Sequence, residues 1–359
     1  MVGLERLRAV GWCTVPATTR GVTLKKQLTI LVLVLGGCFN PPTGAPCVPQ
    51  PPNWCNPSGW CVYRLIPWIQ STHTRRGQTD GPTGGFLTGI SGSGPNNVWV
   101  TQSNPMEMAR PLHHWDGCHW TQLPAARFPV GETTVRVSPH GDVWAQGNGT
   151  LGGPALSPTT GRLVDGGFAQ LPPGLPEGRQ PPWHYRLDGE NPVVTMGTRT
   201  GISVFRLVNG RWEVLPHRGA LYWAGDRAQV MCDDGSCFVV QDGIRNALNG
   251  FGTMDWAHWA GPNALWIQAQ GRTSFWNGET VEDVPLPPQV AAIHGIAVDK
   301  VVAVSRSQIH IWDGTSWNTE DLPGEAGDYY PGISAVWVAP TGHVWLTAGP
   351  HVYVRQLPL

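Results

Sequence analysis

Residues Gly89 to Pro124 read GISGSGPNNVWVTQSNPMEMARPLHHWDGCHWTQLP, and degraded copies of this stretch recur down to the C-terminus. One mark of a copy is a valine-tryptophan step. Asn97-Val98-Trp99 aligns with Asp142-Val143-Trp144, Pro192-Val193-Val194, Ala228-Gln229-Val230, Ala264-Leu265-Trp266, Lys300-Val301-Val302 and His343-Val344-Trp345. The third positions are 45, 50, 36, 36, 36 and 43 residues apart, near the period of about 40 to 45 residues that marks four-stranded blades arranged around an axis. The other mark follows each step: Trp115-Asp116-Gly117 then Trp120, Val208-Asn209-Gly210 then Trp212, Trp276-Asn277-Gly278, and Trp312-Asp313-Gly314 then Trp317. Asp-Gly and Asn-Gly tolerate the positive φ angles of a type I′ turn, so each should close a tight hairpin between third and fourth strands. Weaker versions stand at Asp165-Gly166 and Asp242-Gly243.

The reading is therefore an all-β, seven-bladed β-propeller. Its last repeat runs through Ile333–Pro340, His343–Thr347 and His351–Gln356 and then stops one strand short. Ahead of the first blade, Trp60 to Pro67 (WCVYRLIP) has the form of the fourth strands WTQLP and WEVLP. An N-terminal strand is expected to complete the last blade and so remove the free edges of an open sheet.

Composition agrees. The chain has 359 residues with 46 Gly, 34 Pro and 19 Trp, and only 14% are charged; such a balance favours turns and strands over amphipathic helices. Lysine and arginine number 24 against 25 acidic residues. With no basic excess there is no electrostatic footprint for nucleic acid.

The N-terminus reads as an address. From Leu24 the sequence LKKQLTILVLVLGGC places two lysines before an apolar run that ends in small residues and Cys38. The run is shorter than the roughly 20 residues that span a bilayer and has the layout of a secretory signal. Leu35-Gly36-Gly37-Cys38 resembles the bacterial lipobox, which implies cleavage before Cys38 and lipid on that cysteine. Residues 1–37 are thus read as a signal region, with translation expected to start at Val22. Residues 38–58 hold Pro41, Pro42, Pro46, Pro49, Pro51, Pro52 and Pro57 and read as an extended tether. Residues 59–359 are the propeller. Phe39 stands where related inner-membrane lipoproteins often carry Asp, so the resemblance points to the outer membrane.

SGSGPNNVWV followed by LHHWDGCHW resembles the repeats of bacterial secreted and lipid-anchored β-propeller proteins, abundant in myxobacteria, whose blades read roughly SGSGPDDVWAVG and ILHWDGSSW. The resemblance covers about residues 59–359 and is strongest in blades one, five and six. It implies a fold and an envelope address, and carries no catalytic residues across.

In up-and-down blades, first-to-second and third-to-fourth turns share one end of the ring, while second-to-third and blade-to-blade connections share the other. The first end reads as tight turns such as SPHGD, AGPN and APTG. The second carries Ser71–Gly84, Ser103–Arg110, Gly147–Thr160, Pro172–Pro182 and Gly324–Pro331. Long loops on a rigid scaffold commonly carry function. The expected ligand-binding side chains on this sector are Arg75, Arg76, Met106, Met108, Arg110, Trp183, His184 and Tyr185.

Six cysteines follow Cys38, an even number suited to an oxidising compartment. Cys232 and Cys237 bracket a hairpin turn that a disulfide could staple. Cys47, Cys55, Cys61 and Cys118 allow three pairings; Cys55 with Cys61 is locally easy and would leave Cys47 to reach Cys118. His113 and His114 are strand neighbours pointing to opposite faces, so with His119 they do not make the ligand set that zinc needs. No arginine cluster with a tyrosine nucleophile and acidic partners of the sialidase kind is visible, and Ser138–Trp144 (SPHGDVW) only faintly resembles the Asp-box turn of those enzymes. Tryptophans recurring at equivalent places read as blade-to-blade core. These observations point to a monomeric, lipid-anchored, non-enzymatic binding or scaffold module with no cofactor or metal. Its expected partner is an envelope or extracellular protein, and the alternative is a lectin-like module that meets polysaccharide with Trp183 and Tyr185.

Overall fold

A computed structural model describes residues 49–66, 85–103, 111–123, 133–147, 159–164, 167–170, 184–188, 191–198, 201–218, 220–224, 228–233, 236–241, 244–248, 256–261, 264–269, 272–323 and 332–357. All regular structure among them is β. An N-terminal hairpin consists of β1 (Trp54–Cys55) and β2 (Cys61–Arg64). Blade one is β3 (Phe86–Gly94), β4 (Asn97–Ser103), β5 (Leu112–Trp115) and β6 (Trp120–Leu123), and blade two is β7 (Thr133–Val137), β8 (Val143–Gly147), β9 (Thr159–Val164) and β10 (Gly167–Gln170). Blade three is β11 (His184–Asp188), β12 (Asn191–Thr198), β13 (Gly201–Val208) and β14 (Arg211–Arg218), and blade four is β15 (Ala220–Ala224), β16 (Ala228–Asp233), β17 (Ser236–Gln241) and β18 (Ile244–Leu248). Blade five is β19 (Trp256–Gly261), β20 (Ala264–Ala269), β21 (Arg272–Trp276) and β22 (Val281–Asp283), and blade six is β23 (Ala292–Ala297), β24 (Lys300–Val304), β25 (Gln308–Trp312) and β26 (Trp317–Asp321). The C-terminal strands are β27 (Ile333–Val338), β28 (His343–Ala348) and β29 (His351–Gln356).

Each of blades one to six is an antiparallel sheet in chain order, and the seventh sheet runs β1-β2-β29-β28-β27. The expected closing strand is therefore present: Cys61 pairs with Val354, Val62 with Tyr353, Tyr63 with Val352 and Arg64 with His351. The sheet also extends past the WCVYRLIP segment, because Trp54 pairs with Val62 and Cys55 with Cys61 across the disulfide Cys55–Cys61. Residues Pro49–Leu359 form one compact unit, in which Gln50 N–H donates to Cys118 O and Asn53 N–H to Val62 O. First strands of neighbouring blades contact one another, as in β3 with β7, β19 with β23, β23 with β27 and β27 with β3. They form the inner ring.

The core is divided among the seams between blades. The buried side chains fall into seven clusters, one at each blade-to-blade joint. Strand alternation explains why. In β4, Val98 faces blade seven and Trp99 faces blade two, and in β20, Leu265 faces blade four while Trp266 faces blade six. The tryptophan of the valine-tryptophan step thus reaches forward, and the aromatics of the second mark reach back to receive it. Trp266 packs on Phe275, Trp312 and Trp317 with ring centroids 5.1, 5.5 and 5.4 Å away. Trp345 meets Trp115 at 6.3 Å and Trp120 at 6.1 Å. Trp144 packs with Phe205, Leu207 and Trp212. The two marks are halves of one joint, and aromatic pairs add about 0.5–1.5 kcal/mol beyond the area they bury.

The same alternation corrects the alignment of blade three. Val194 faces back toward Trp144, whereas Val193 packs with Met231 and Phe238 of blade four. Val193, not Val194, holds the place of Trp99. The turns need a second correction. Among the described residues only Asn209-Gly210 is a two-residue turn with both residues at positive φ, 49° and 75°. Asp116, Asn277 and Asp313 instead open four-residue loops, since Trp115 pairs with Trp120, Trp276 with Val281 and Trp312 with Trp317. Their side chains accept the backbone N–H groups two and three residues on, at 2.7–3.0 Å. This is an Asx turn, and only the following glycine takes positive φ. The weaker Asp165-Gly166 and Asp242-Gly243 lie outside the described residues.

Candidate functional site

Antiparallel order sets which connections share an end of the ring. One end is tight throughout what is described. Ser138 N–H donates to Asp142 O and Gly141 N–H to Ser138 O, while Ala339 N–H donates to His343 O and Gly342 N–H to Ala339 O. At the other end Arg75, Arg76, Met106, Met108, Arg110 and Trp183 lie outside the described residues, as do most of the five long connections. His184 opens β11 and Tyr185 pairs with Val194, which places both on an inner strand of blade three. Cys38 lies outside the described residues too.

The described part of that end holds a cavity of about 490 Å³ on blade five. One wall is made where β20, β21 and β22 end, by Gln268, Arg272, Thr273 and Asp283; the other is the run Pro285 to Val290 leading to blade six. The run is fastened at both ends, Val284 N–H donating to Thr273 O and Ala291 N–H to Val304 O. Leu286 anchors it against the Trp266 cluster. Three prolines stiffen it, and Gln289 holds a left-handed φ of 61°, a conformation that costs a residue with a Cβ and that marks constrained segments. Asp283 accepts from Ser274 Oγ at 3.0 Å and pairs with Arg272. These two partners hold its carboxyl below the usual carboxylate range. No sequence reasoning had picked out this cavity; the signal present was the Pro-Leu-Pro-Pro run beside a short fourth strand.

A second feature missed from sequence is a ring of stitches on the inner strands. In five blades a described side chain sits opposite the forward-facing residue of the second strand: Ser91, Arg136, His258, His294 and Trp337 in blades one, two, five, six and seven. Arg186 pairs with Val193 and Trp223 with Val230 at the corresponding positions of blades three and four. Ser91 Oγ accepts from Val137 N–H at 3.0 Å, His258 Nε2 from Gly295 N–H at 2.9 Å and His294 Nδ1 from Val338 N–H at 3.2 Å. Each acceptor joins its blade to the next. Trp337 instead lays its ring where a Cβ on Gly92 would stand, 2.7 Å from that atom position, so glycine is required there. His258 and His294 lie 4.9 Å apart. The His294 imidazole is pushed down to about 3, first by burial and then by Arg136. Arg136 belongs to blade two, so its charge acts across the axis. His294 is half-buried.

The strand histidines are structural. His113 is buried with Nε2 3.0 Å from Gln102 Oε1, and burial lowers it to about 4. His114 stacks on Trp99 at 4.1 Å, and Nε2 of His114 and Nε1 of Trp99 both meet Asn97 Oδ1. Among the described residues no group of three or more His, Cys, Asp or Glu is placed to hold a metal. Cys232 and Cys237 form the expected disulfide, directly paired across β16 and β17. Cys118 is disulfide-bonded as well, and Cys47 lies outside the described residues.

The sequence matches no protein-family model and no curated protein. Solved structures do match, at low sequence identity in the examples that follow. The WD40 β-propeller domain of Doa1 superposes with a TM-score of 0.53 at 10% identity, covering 75% of this chain and 92% of that domain. YCF48 from Cyanidioschyzon merolae gives 0.51 at 14% identity over 84% of this chain and 99% of its own, and YCF48 bound to a D1 peptide gives 0.50 at 14% over 86% and 98%. An oligogalacturonate lyase from Vibrio parahaemolyticus gives 0.52 at 12% over 83% and 98%. The likeness establishes a β-propeller.

Proposed function

We propose that this chain is a non-enzymatic binding module of the bacterial envelope, anchored by lipid on Cys38, that holds a protein partner on the end of the ring carrying the long connections. The observation that carries the reading is the asymmetry of the two ends. Among the described residues one end is reduced to turns of two to five residues, several of whose polar groups bond their own backbone. The other receives every long connection of the sequence, on a scaffold made rigid by seven packed seams. Propellers of the WD40 kind are among the structural neighbours, and YCF48 is known with a bound peptide, which supports a protein partner over a small substrate. The lysines, apolar run and Leu-Gly-Gly-Cys at residues 25–38 support the lipid anchor, and the paired cysteines support an oxidising compartment.

The test is capture from envelope extract on the immobilised mature chain, made soluble by Cys38→Ser, beside a version lacking residues 147–160. The proposal expects a protein that is retained by the first and weakened in the second. Retention of polysaccharide alone, or capture unchanged by the deletion, would count against it. Labelling with a fatty-acid analogue should mark the wild-type chain and leave Cys38→Ser unmarked.

A further inference from the structure

We infer that the cavity on blade five is a binding site for a neutral saccharide unit of one or two rings. The inference stands apart from the protein-binding reading, which concerns another sector of the same end. The wall from Pro285 to Val290 cannot take a peptide strand, because Pro285, Pro287 and Pro288 offer no N–H to a ladder. Recognition in this cavity therefore falls to side chains and backbone carbonyls. Gln268, Thr273 and Gln289 each both donate and accept, Arg272 donates, and Asp283 accepts. Hydroxyl groups, which also do both, are the ligand groups that such a set satisfies in any order. Charge narrows the class further. Arg272 is paired with Asp283, so the cavity presents no net charge to an ion.

Size and stiffness point the same way. A volume of about 490 Å³ falls in the range of small-ligand sites. Proline and leucine supply an apolar wall for the C–H face of a sugar ring, opposite the polar strand ends. The wall is fixed before any ligand arrives, by the backbone bonds at Val284 and Ala291 and by Leu286 in the seam, which lowers the entropy lost on binding.

The test titrates the mature full chain with glucose, galactose, mannose, N-acetylglucosamine and their disaccharides, read by saturation-transfer NMR and calorimetry, with glucuronate as the charged comparison. The inference expects saturable binding of at least one neutral sugar. Asp283→Ala and Gln268→Ala should each weaken it about tenfold or more while the melting curves stay near wild type; the removed groups lie at strand ends outside the seams. Three results would overturn it: no neutral sugar saturating, binding that survives both substitutions, or glucuronate bound more tightly than every neutral sugar.

Discussion

The seam between blades five and six and the seam between blades seven and one are built from the same aromatic parts and closed by different means. In the first, Trp266 enters a pocket of Phe275, Trp312 and Trp317, and the chain itself crosses the joint through residues 284–291. In the second, Trp345 meets Trp115 and Trp120, but blade seven is assembled from both ends of the folded unit and its outer strand arrives from the N-terminus. The strand β2 serves both neighbours. Tyr63 faces blade one, 5.3 Å from Trp115, while Trp60 and Val62 face blade six. The disulfide Cys55–Cys61 fixes β1 to β2, and Trp60 Nε1 donates to Glu320, which also takes two bonds from Arg355 at 2.7 and 2.9 Å. A generic aromatic joint suffices where the chain is continuous. Inside blade seven, strand pairing of β2 with β29 joins the two ends of the folded unit, and a partly buried ionic latch from Glu320 to Arg355 and Trp60 ties that blade to blade six.

Removing residues up to Ile66 should do the most damage. It removes Trp60, Val62 and Tyr63 from their seams and uncovers β29, and the loss in denaturant-measured stability should exceed about 5 kcal/mol. An unchanged denaturation curve would mean that the ring closes without β2. Next come Trp266→Ala and Trp345→Ala, each expected to cost about 3–5 kcal/mol as buried aromatics. Similar values would confirm that the two seams share one joint; a cost below about 1 kcal/mol for Trp345→Ala would separate them.

Acid should distinguish the seams by their stitches. His258 and His294 accept backbone N–H bonds between blades five, six and seven, whereas Ser91 does the same between blades one and two and cannot titrate. His294 is held neutral down to about 3 when folded, against about 6.5 when unfolded. Its contribution is complete above 6.5 and is lost as pH falls toward 3, by up to about 1.4 kcal/mol per unit. His294→Gln, which keeps an acceptor, should flatten that part of the stability profile. A slope identical to wild type would remove His294 from the account. The smallest effect is at the latch, where Glu320→Gln should cost about 1 kcal/mol, since the pair is only partly buried, and should be read in the same denaturation assay.

Much of this was legible because the repeat writes the joint twice. The Val-Trp step and the Trp-Asp-Gly mark gave seven blades, the missing strand and its replacement by Trp60–Pro67. Blade three misled by one residue because two valines stand side by side at Val193 and Val194, and only the facing of each side chain tells them apart. The turns misled because Asp-Gly and Asn-Gly satisfy two turn types, and the choice depends on whether two or four residues separate the last paired residues of the two strands. The inner ring was not legible. Ser91, Arg136, His258, His294 and Trp337 share a position but, the two histidines apart, no chemistry, so no pattern in the letters joins all five; what they share is a place opposite the forward-facing residue of the second strand. The cavity was hidden for a similar reason, since its walls come from strand ends and a loop whose meeting only the fold decides.

Amide hydrogen exchange on the mature chain tests the closed ring most directly. The account predicts that the amides of β29 bonded to β2 exchange as slowly as those in the middle of β24, and that they become fast when residues up to Ile66 are removed. Rapid exchange of those amides in the intact chain, at the rate of an exposed edge strand, would contradict it.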